Sequence, residues 1–194
     1  MAAQSALTTV DEYLSGESLS KIRHEFVAGS VYAMSGASRN HVELTSALSN
    51  ILYRATLGKP CRKLDQDTKV YVAETHSYYY PDATVSCPPN FVDAQHGVID
   101  NPTIIFEVLS PSTANLDRGA KFAAYRSLPS LRDFVLIESE SASVEVYSLE
   151  GDTWVVRFFV GQDATAVVPS LGIELPLSEM YQYTEFGPSK PQGF

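Results

Sequence analysis

Apolar positions recur along the chain with two different periods, and the change of period marks out the elements. From His41 onward Val42, Thr45, Leu48, Ile51, Leu52 and Ala55 return every three to four residues. Ser38 stands where it can cap that run and Gly58-Lys59-Pro60 stops it, which predicts a helix. Thr8–Gly16 predicts an earlier one, with Asp11 and Glu12 in the first turn, where negative charge suits the helix dipole. Between the two, Ile22–Val27 and Ser30–Met34 flank Ala28-Gly29 and predict a β-hairpin. Strand-like runs follow at Thr68–Val72, Tyr79–Ser86 and Thr103–Leu109, with loops at Cys87-Pro88-Pro89-Asn90 and Asp100-Asn101-Pro102. A further helix fits Ala114–Leu128 and ends before Pro129. Asp133–Ile137 carries a continuous apolar run suited to a strand covered on both faces. Val144–Leu149 and Thr153–Val160 flank Glu150-Gly151-Asp152, a second hairpin signal, and a short turn or helix near Leu177–Tyr183 closes the pattern.

A helix-connected strand among other strands predicts an α/β or α+β class: a mixed central sheet flanked by helices, with additional antiparallel strands at the C-terminus. No repeat or linker divides the chain, so residues 1–194 read as one domain, with a core over about 8–183 and a tail over 184–194. Its 194 residues, 44% hydrophobic and 19% charged, suffice for a full core and exclude a disordered or fibrous chain. No stretch approaches the ~18 apolar residues of a membrane span, and Met1–Val10 shows no secretory signal. Cys61 and Cys87 are too few for a disulfide scaffold or a four-cysteine zinc site, and read as reduced thiols in a cytoplasmic protein.

Charge is unevenly spread. The net value is −9, but residues 1–132 hold 12 Lys and Arg against 13 Asp and Glu, while residues 133–194 hold 2 against 10. Bulk coating of nucleic acid is excluded. A polyanion could still approach the near-neutral part, by Arg54, Lys59, Arg62, Lys63 and Lys69; the alternative is an ordinary solvated face.

One carboxylate stands out. In Thr103–Leu109, period 2 puts Ile105, Glu107 and Leu109 on one strand face and Ile104, Phe106 and Val108 on the other. Both faces are apolar, so Glu107 sits in a central strand, where an unpaired charge costs several kcal/mol. It calls for a cation, a metal or a raised pKa, unless it lies at an exposed strand end beside an arginine. Asp82 follows Pro81, which cannot donate to a strand ladder, and so falls at a sheet rim; the alternative is a plain Pro-Asp turn. Two carboxylates on adjacent strands can hold a hard divalent ion such as Mg²⁺. Lys121, four residues after Asp117, either forms an exposed ion pair with it or reaches toward that site. Gly119 between them marks a close approach or a later helix start. Tyr78-Tyr79-Tyr80 can stack on bases or fill a sheet face. Gly-x-Ser-x-Gly, His-Glu-x-x-His and a phosphate-cradling glycine loop are all absent from the sequence.

Tyr80-Pro81-Asp82, the run Phe106-Glu107-Val108-Leu109-Ser110-Pro111-Ser112-Thr113, then Asp117-Arg118-Gly119-Ala120-Lys121 and Tyr125 resemble the putative restriction endonuclease family of bacterial domains, in the PD-(D/E)xK nuclease superfamily. Glu25–Ser35 with His41 is similar to that family's opening hairpin and helix, and Leu128–Val135 to its later turn and strand. The likeness spans roughly 8–183. It implies a restriction-endonuclease-like core, Mg²⁺ (or Mn²⁺), a DNA substrate and a homodimer. Carried over, Asp82 and Glu107 are metal ligands, Lys121 is the catalytic lysine and Glu25 an additional acid near the metal. His41 matches the pattern too, although a histidine in such a place is more often structural. One departure stands: the superfamily's strand lysine position is Leu109 here, and Lys121 on the next helix is the substitute. The implied activity is metal-dependent phosphodiester hydrolysis in DNA. The alternative is a nuclease-fold domain without activity that binds nucleic acid or protein, which the acidity and Leu109 favour.

Overall fold

The structure is a computed structural model that describes residues 8–186 apart from Ser35 and Ser112. Residues 1–7 and 187–194, and the motif residues Ser35 and Ser112, lie outside the described residues. Helix α1 (Val10–Leu19) begins with a capping box: Glu12 N–H donates to Thr9 Oγ1 at 3.3 Å, and Glu12 Oε2 accepts from Thr9 N at 2.8 Å. It runs three residues past the expected Gly16. Strands β1 (His24–Val27) and β2 (Ser30–Ala33) form the expected hairpin. Ala28 and Gly29 both have positive φ, 47° and 88°, as a two-residue turn matching strand twist requires. Helix α2 (Arg39–Thr56) starts where Ser38 Oγ accepts from His41 N–H. Of the expected apolar series it buries Leu48, Ile51 and Leu52, with Leu44 added, while Val42 is exposed because the buried face is turned toward Leu44.

The strands then divide between two six-stranded sheets. Strands β3 (Arg62–Asp65), β4 (Lys69–Val72), β5 (Ser77–Tyr79), β6 (Ala83–Ser86), β7 (Phe91–Asp93), β8 (Val98–Ile99) and β9 (Ile104–Leu109) precede the second helical region. Strands β10 (Asp133–Glu138), β11 (Ser143–Glu150) and β12 (Thr153–Val160) follow it. One sheet has the order β2-β1-β5-β4-β8-β7 and the other β12-β11-β10-β9-β6-β3. A small pair, β13 (Thr165–Val168) and β14 (Ile173–Pro176), and helix α5 (Leu177–Met180) close the chain. The single strand expected over Tyr79–Ser86 is broken. β5 belongs to the first sheet and β6 to the second, and Tyr80-Pro81-Asp82 carries the chain between them. Pro81 has no N–H for either ladder, so the break falls where a missing donor costs least.

Strands β9 and β10 are parallel neighbours at the centre of the second sheet, joined by the helical region that begins at Ala114. All six residues of β9 are buried. Ile104, Phe106 and Val108 pack with α2 and the β13–β14 pair, while Ile105 and Leu109 pack with Tyr125, Leu128 and Leu131 on the opposite side. The period-2 reading of this segment therefore gives its faces correctly. Each fully buried side chain of this size stabilises by about 1.5–3 kcal/mol, which holds the strand bearing Glu107 rigidly.

The cysteines are not free. Cys61 and Cys87 form a disulfide. Antiparallel pairing of β3 with β6 sets Arg62 opposite Ser86, so the next pair outward is Cys61 and Cys87. A separation of 26 residues hides this neighbourhood from the sequence, which is why two thiols were expected.

Candidate active site

Glu107 lies mid-strand in β9, on the face shared with Ile105 and Leu109, and is 3% exposed. It is neither at a strand end nor beside an arginine. The β6–β9 register pairs Ala83 with Phe106, so one step further sets Asp82 against Glu107. Directly opposed residues project on the same side of a sheet. Both line a cavity of about 1040 Å³. Asp82, just before β6 rather than inside it, is fixed at both oxygens. Val108 N–H donates to Oδ2 at 2.7 Å, and His41 Nε2 lies 3.1 Å from Oδ1. His41 thus joins the site from the first turn of α2, where the Ser38 cap anchors it.

The chain beyond β9 supplies the cation. Helix α3 (Ala114–Leu116) passes into a five-residue π-helical segment, Asp117–Lys121, and then into α4 (Phe122–Tyr125). Such wide turns favour functional places because they re-aim side chains without ending the helix. Here Asp117, Lys121 and Tyr125, spaced by four, all turn inward and are buried. Gly119 has open space around its α-carbon, so neither a close approach nor a late helix start explains it.

Lys121 Nζ sits among three carboxylates: Glu25 Oε1 at 2.8 Å, Glu107 Oε1 at 3.3 Å and Asp117 Oδ1 at 3.4 Å. Tyr125 donates its hydroxyl to Glu107 Oε1 at 3.1 Å, and Tyr80 N–H donates to Glu25 Oε1 at 3.3 Å. Asp117 and Lys121 are therefore not an exposed surface pair. Glu25, in β1 of the other sheet, meets Glu107 through this one ammonium. The chain crossing at Tyr80-Pro81-Asp82 brings the two sheets together at that point.

Three acids around one base leave excess negative charge in a dry place. Burial raises the Glu107 pKa well above the usual carboxylate range; Lys121 opposes that shift, while Asp117, Asp82 and Glu25 add to it. For Lys121, burial acts to lower the pKa, but Glu107, Glu25 and Asp117 outweigh it and hold the ammonium above the ordinary lysine range. Burial, then the charges of Glu107 and Glu25, keep Tyr125 protonated. Among the described residues no three His, Cys, Asp or Glu side chains group closely enough to hold a metal by themselves. Among the described residues the hydrogen bonds and ion pair of Glu107 fall on Oε1.

All four residues expected from the sequence, Asp82, Glu107, Lys121 and Glu25, line this one cavity. Tyr125 and Asp117 complete the inner ring; their common spacing of four from Lys121 was the available signal. The Asp82 contact of His41 had no signal beyond the resemblance, because it depends on where α2 docks. The basic group does not reach the site. Arg54, about 20 Å along α2 from His41, pairs with Glu179. Lys63 pairs with Asp65, and Lys69 is buried against the His96 carbonyl. Tyr78, Tyr79 and Tyr80 are buried, packing against Tyr13, Tyr71 and Tyr125 or bonding Glu17, so they fill the sheet rather than stack on a ligand.

Comparison with known proteins gives the family and the fold. A family model described as "Uma2: Putative restriction endonuclease" matches residues 10–178. Two uncharacterized proteins of Synechocystis are similar. The protein sll1609 is 34% identical over 166 residues, covering 84% of this chain and 94% of that one. The protein slr1290 is 32% identical over 177 residues, covering 91% and 92%. The fold matches the crystal structure of a "putative nuclease belonging to DUF820" from Anabaena variabilis, with a TM-score of 0.69, 18% identity, and coverage of 90% of this chain and 97% of that one.

Proposed function

We propose that this chain, which belongs to the Uma2 putative restriction endonuclease family, hydrolyses phosphodiester bonds in DNA with the help of a divalent metal ion. The observation that carries this reading is the buried Lys121 ammonium held between Glu25, Glu107 and Asp117, with Asp82 opposite Glu107 in the same cavity. A structural ion pair needs one acid, whereas this cluster keeps more carboxylates than its one cation neutralises.

The residues suit a hard cation. Among the described residues Glu107 takes its hydrogen bonds and ion pair at Oε1, from Lys121 and Tyr125, and Glu25 takes those from Lys121 and Tyr80 at its own Oε1. Mg²⁺ takes one or two carboxylates and completes its shell with water and phosphate oxygens, so the pair Asp82 and Glu107 is enough. We assign these two as the ligands of Mg²⁺ or Mn²⁺. When bound, such an ion lowers the pKa of water and polarises a phosphate oxygen.

The protein's own groups do the positioning. Val108 N–H and His41 fix the Asp82 carboxylate; Tyr125 keeps its proton on Oη and donates it toward Glu107 Oε1, so that Asp82 and Glu107 would hold the cation in fixed positions. Lys121, held protonated, does not act as a base. Its fixed positive charge faces the charge that develops on the phosphoryl oxygens. Leu109, at the strand position where the superfamily carries lysine, is buried in the core and contributes packing only.

The test is cleavage of plasmid and oligonucleotide DNA with Mg²⁺ or Mn²⁺. Asp82→Asn and Glu107→Gln are each expected to lose activity by a hundredfold or more, on the scale of about 10²–10³ for one preorganised transition-state contact, while remaining folded. Parent-like cleavage by either variant overturns the site assignment. The absence of cleavage in the parent favours the inactive binding module, for which the net charge of −9 is the specific observation.

A further inference from the structure

Resting on the nuclease reading above, we infer that the cavity admits unpaired nucleotides rather than intact duplex, and that Tyr32 on β2 is the residue on which their bases stack. The hairpin register sets Tyr32 directly opposite Glu25, so both side chains leave the same face. Glu25 touches Lys121 at the inner wall, and Tyr32 stands further out along that wall, 56% exposed. Ile22 and Leu116 line the same cavity, 56% and 48% exposed. An exposed ring that shares its cavity with exposed apolar side chains and with buried carboxylates and a lysine is a platform for a planar base. Aromatic stacking accepts every base, because each has a π-face.

Charge argues against a duplex. The cations lining the cavity are Lys21, Arg23 and Lys121. Lys121 is committed to three acids. Arg23 donates to the Gln66 carbonyl at 2.8 Å and stands 3.6 Å from Asp67. Among the described residues Lys21 alone of the three has no ion-pair partner. Against them stand the lining acids Glu17, Glu25, Asp67, Asp82, Glu107 and Asp117. A duplex held through about 6–10 phosphate contacts needs as many donors or cations. Among the described residues the cavity lining offers only Lys21 outside an ion pair, of its lysines and arginines.

Depth points the same way. Glu107 lines the cavity at only 3% exposure, so a scissile phosphate reaches it only with its nucleotide drawn in. In a duplex that requires breaking stacking and pairing, whereas an unpaired strand has neither to lose. A strand end, gap or loop also presents few phosphates at once. The ligand that fits is thus single-stranded: its base meets Tyr32 and its phosphate lies inward, toward Lys121.

The experiment is fluorescence anisotropy with a short labelled DNA strand and with its duplex, in Ca²⁺, alongside cleavage of the same two DNAs in Mg²⁺. The single strand is expected to bind at least tenfold more tightly. Tyr32→Ala is expected to remove about tenfold of that affinity, leaving weak duplex binding and thermal stability unchanged, and Tyr32→Phe to restore it. Equal or duplex-favouring affinity overturns the inference, as does a single-strand preference that survives Tyr32→Ala, or no binding of either DNA. Selective binding without cleavage would instead refute only the nuclease reading.

Discussion

Replacing Lys121 by methionine tests the electrostatic architecture directly, because methionine keeps much of the aliphatic stem and removes the charge. In the parent the ammonium lies within 3.4 Å of Glu25, Glu107 and Asp117, and 6.0 Å from the centre of the Tyr79 ring. Removing one partner of a buried ion pair costs about 3–5 kcal/mol, since the other charge stays buried without compensation. The cation–π contact adds less than about 1 kcal/mol at that range. For a chain of this size each kcal/mol moves the unfolding midpoint by about 2–4 °C, so Lys121→Met is expected to melt roughly 6–20 °C below the parent at neutral pH. The loss must depend on pH with a definite sign. Burial raises the Glu107 pKa and Lys121 opposes that rise, so without Lys121 this carboxyl binds its proton still more tightly in the folded than in the unfolded chain. The deficit is therefore full above its folded pKa and shrinks as the pH falls and it takes up its proton. Thermal unfolding followed by circular dichroism at neutral and acidic pH measures both features. An unchanged neutral midpoint, or a deficit that widens in acid, would refute the idea that Lys121 neutralises the cluster.

Two further outcomes follow from the same structure. Glu107→Gln is expected to be inactive yet more stable than the metal-free parent at neutral pH. Burial raises the Glu107 pKa, so its charged form costs stability above the folded pKa, and the advantage of glutamine should vanish as the pH falls through the ordinary carboxylate range. Urea titrations of both proteins at several pH values check this, and a glutamine variant less stable at neutral pH would count against it. The Cys61–Cys87 bridge closes a loop with a separation of 26 residues, so reduction or Cys61→Ser/Cys87→Ser is expected to cost about 3.5 kcal/mol by loop entropy. Thiol titration of the denatured, unreduced protein should find no free cysteine, and one that finds two removes the bridge.

Much of the site could be read before any fold was known, for a reason that is local. Glu107 lies within an alternating strand whose two faces are both apolar, and that pattern alone demands burial and a partner. The hairpin around Ala28-Gly29 and the periodic face of α2 likewise follow from interactions within a few residues. The lysine was less plain: the four-residue spacing of Asp117 and Lys121 fits an exposed pair equally well, and only the family resemblance tipped it inward. The basic group left two readings open, because Arg54, Lys59, Arg62, Lys63 and Lys69 say nothing about which end of α2 faces the cavity; none of the five lines it.

What the sequence determined by itself is therefore the set of charged residues that could not stay solvated, and the strands and helices that carry them. What only the tertiary structure decided is their meeting. The chain switches sheets at Tyr80-Pro81-Asp82, β6 lies antiparallel to β9, and α2 docks with His41 beside Asp82. The same pairing of β3 with β6 joins two cysteines that looked unrelated. Periodicity records which side of an element is apolar, but not which distant element covers it. That choice is made by packing and strand register over the whole chain, and the cluster around Lys121 exists only once it has been made.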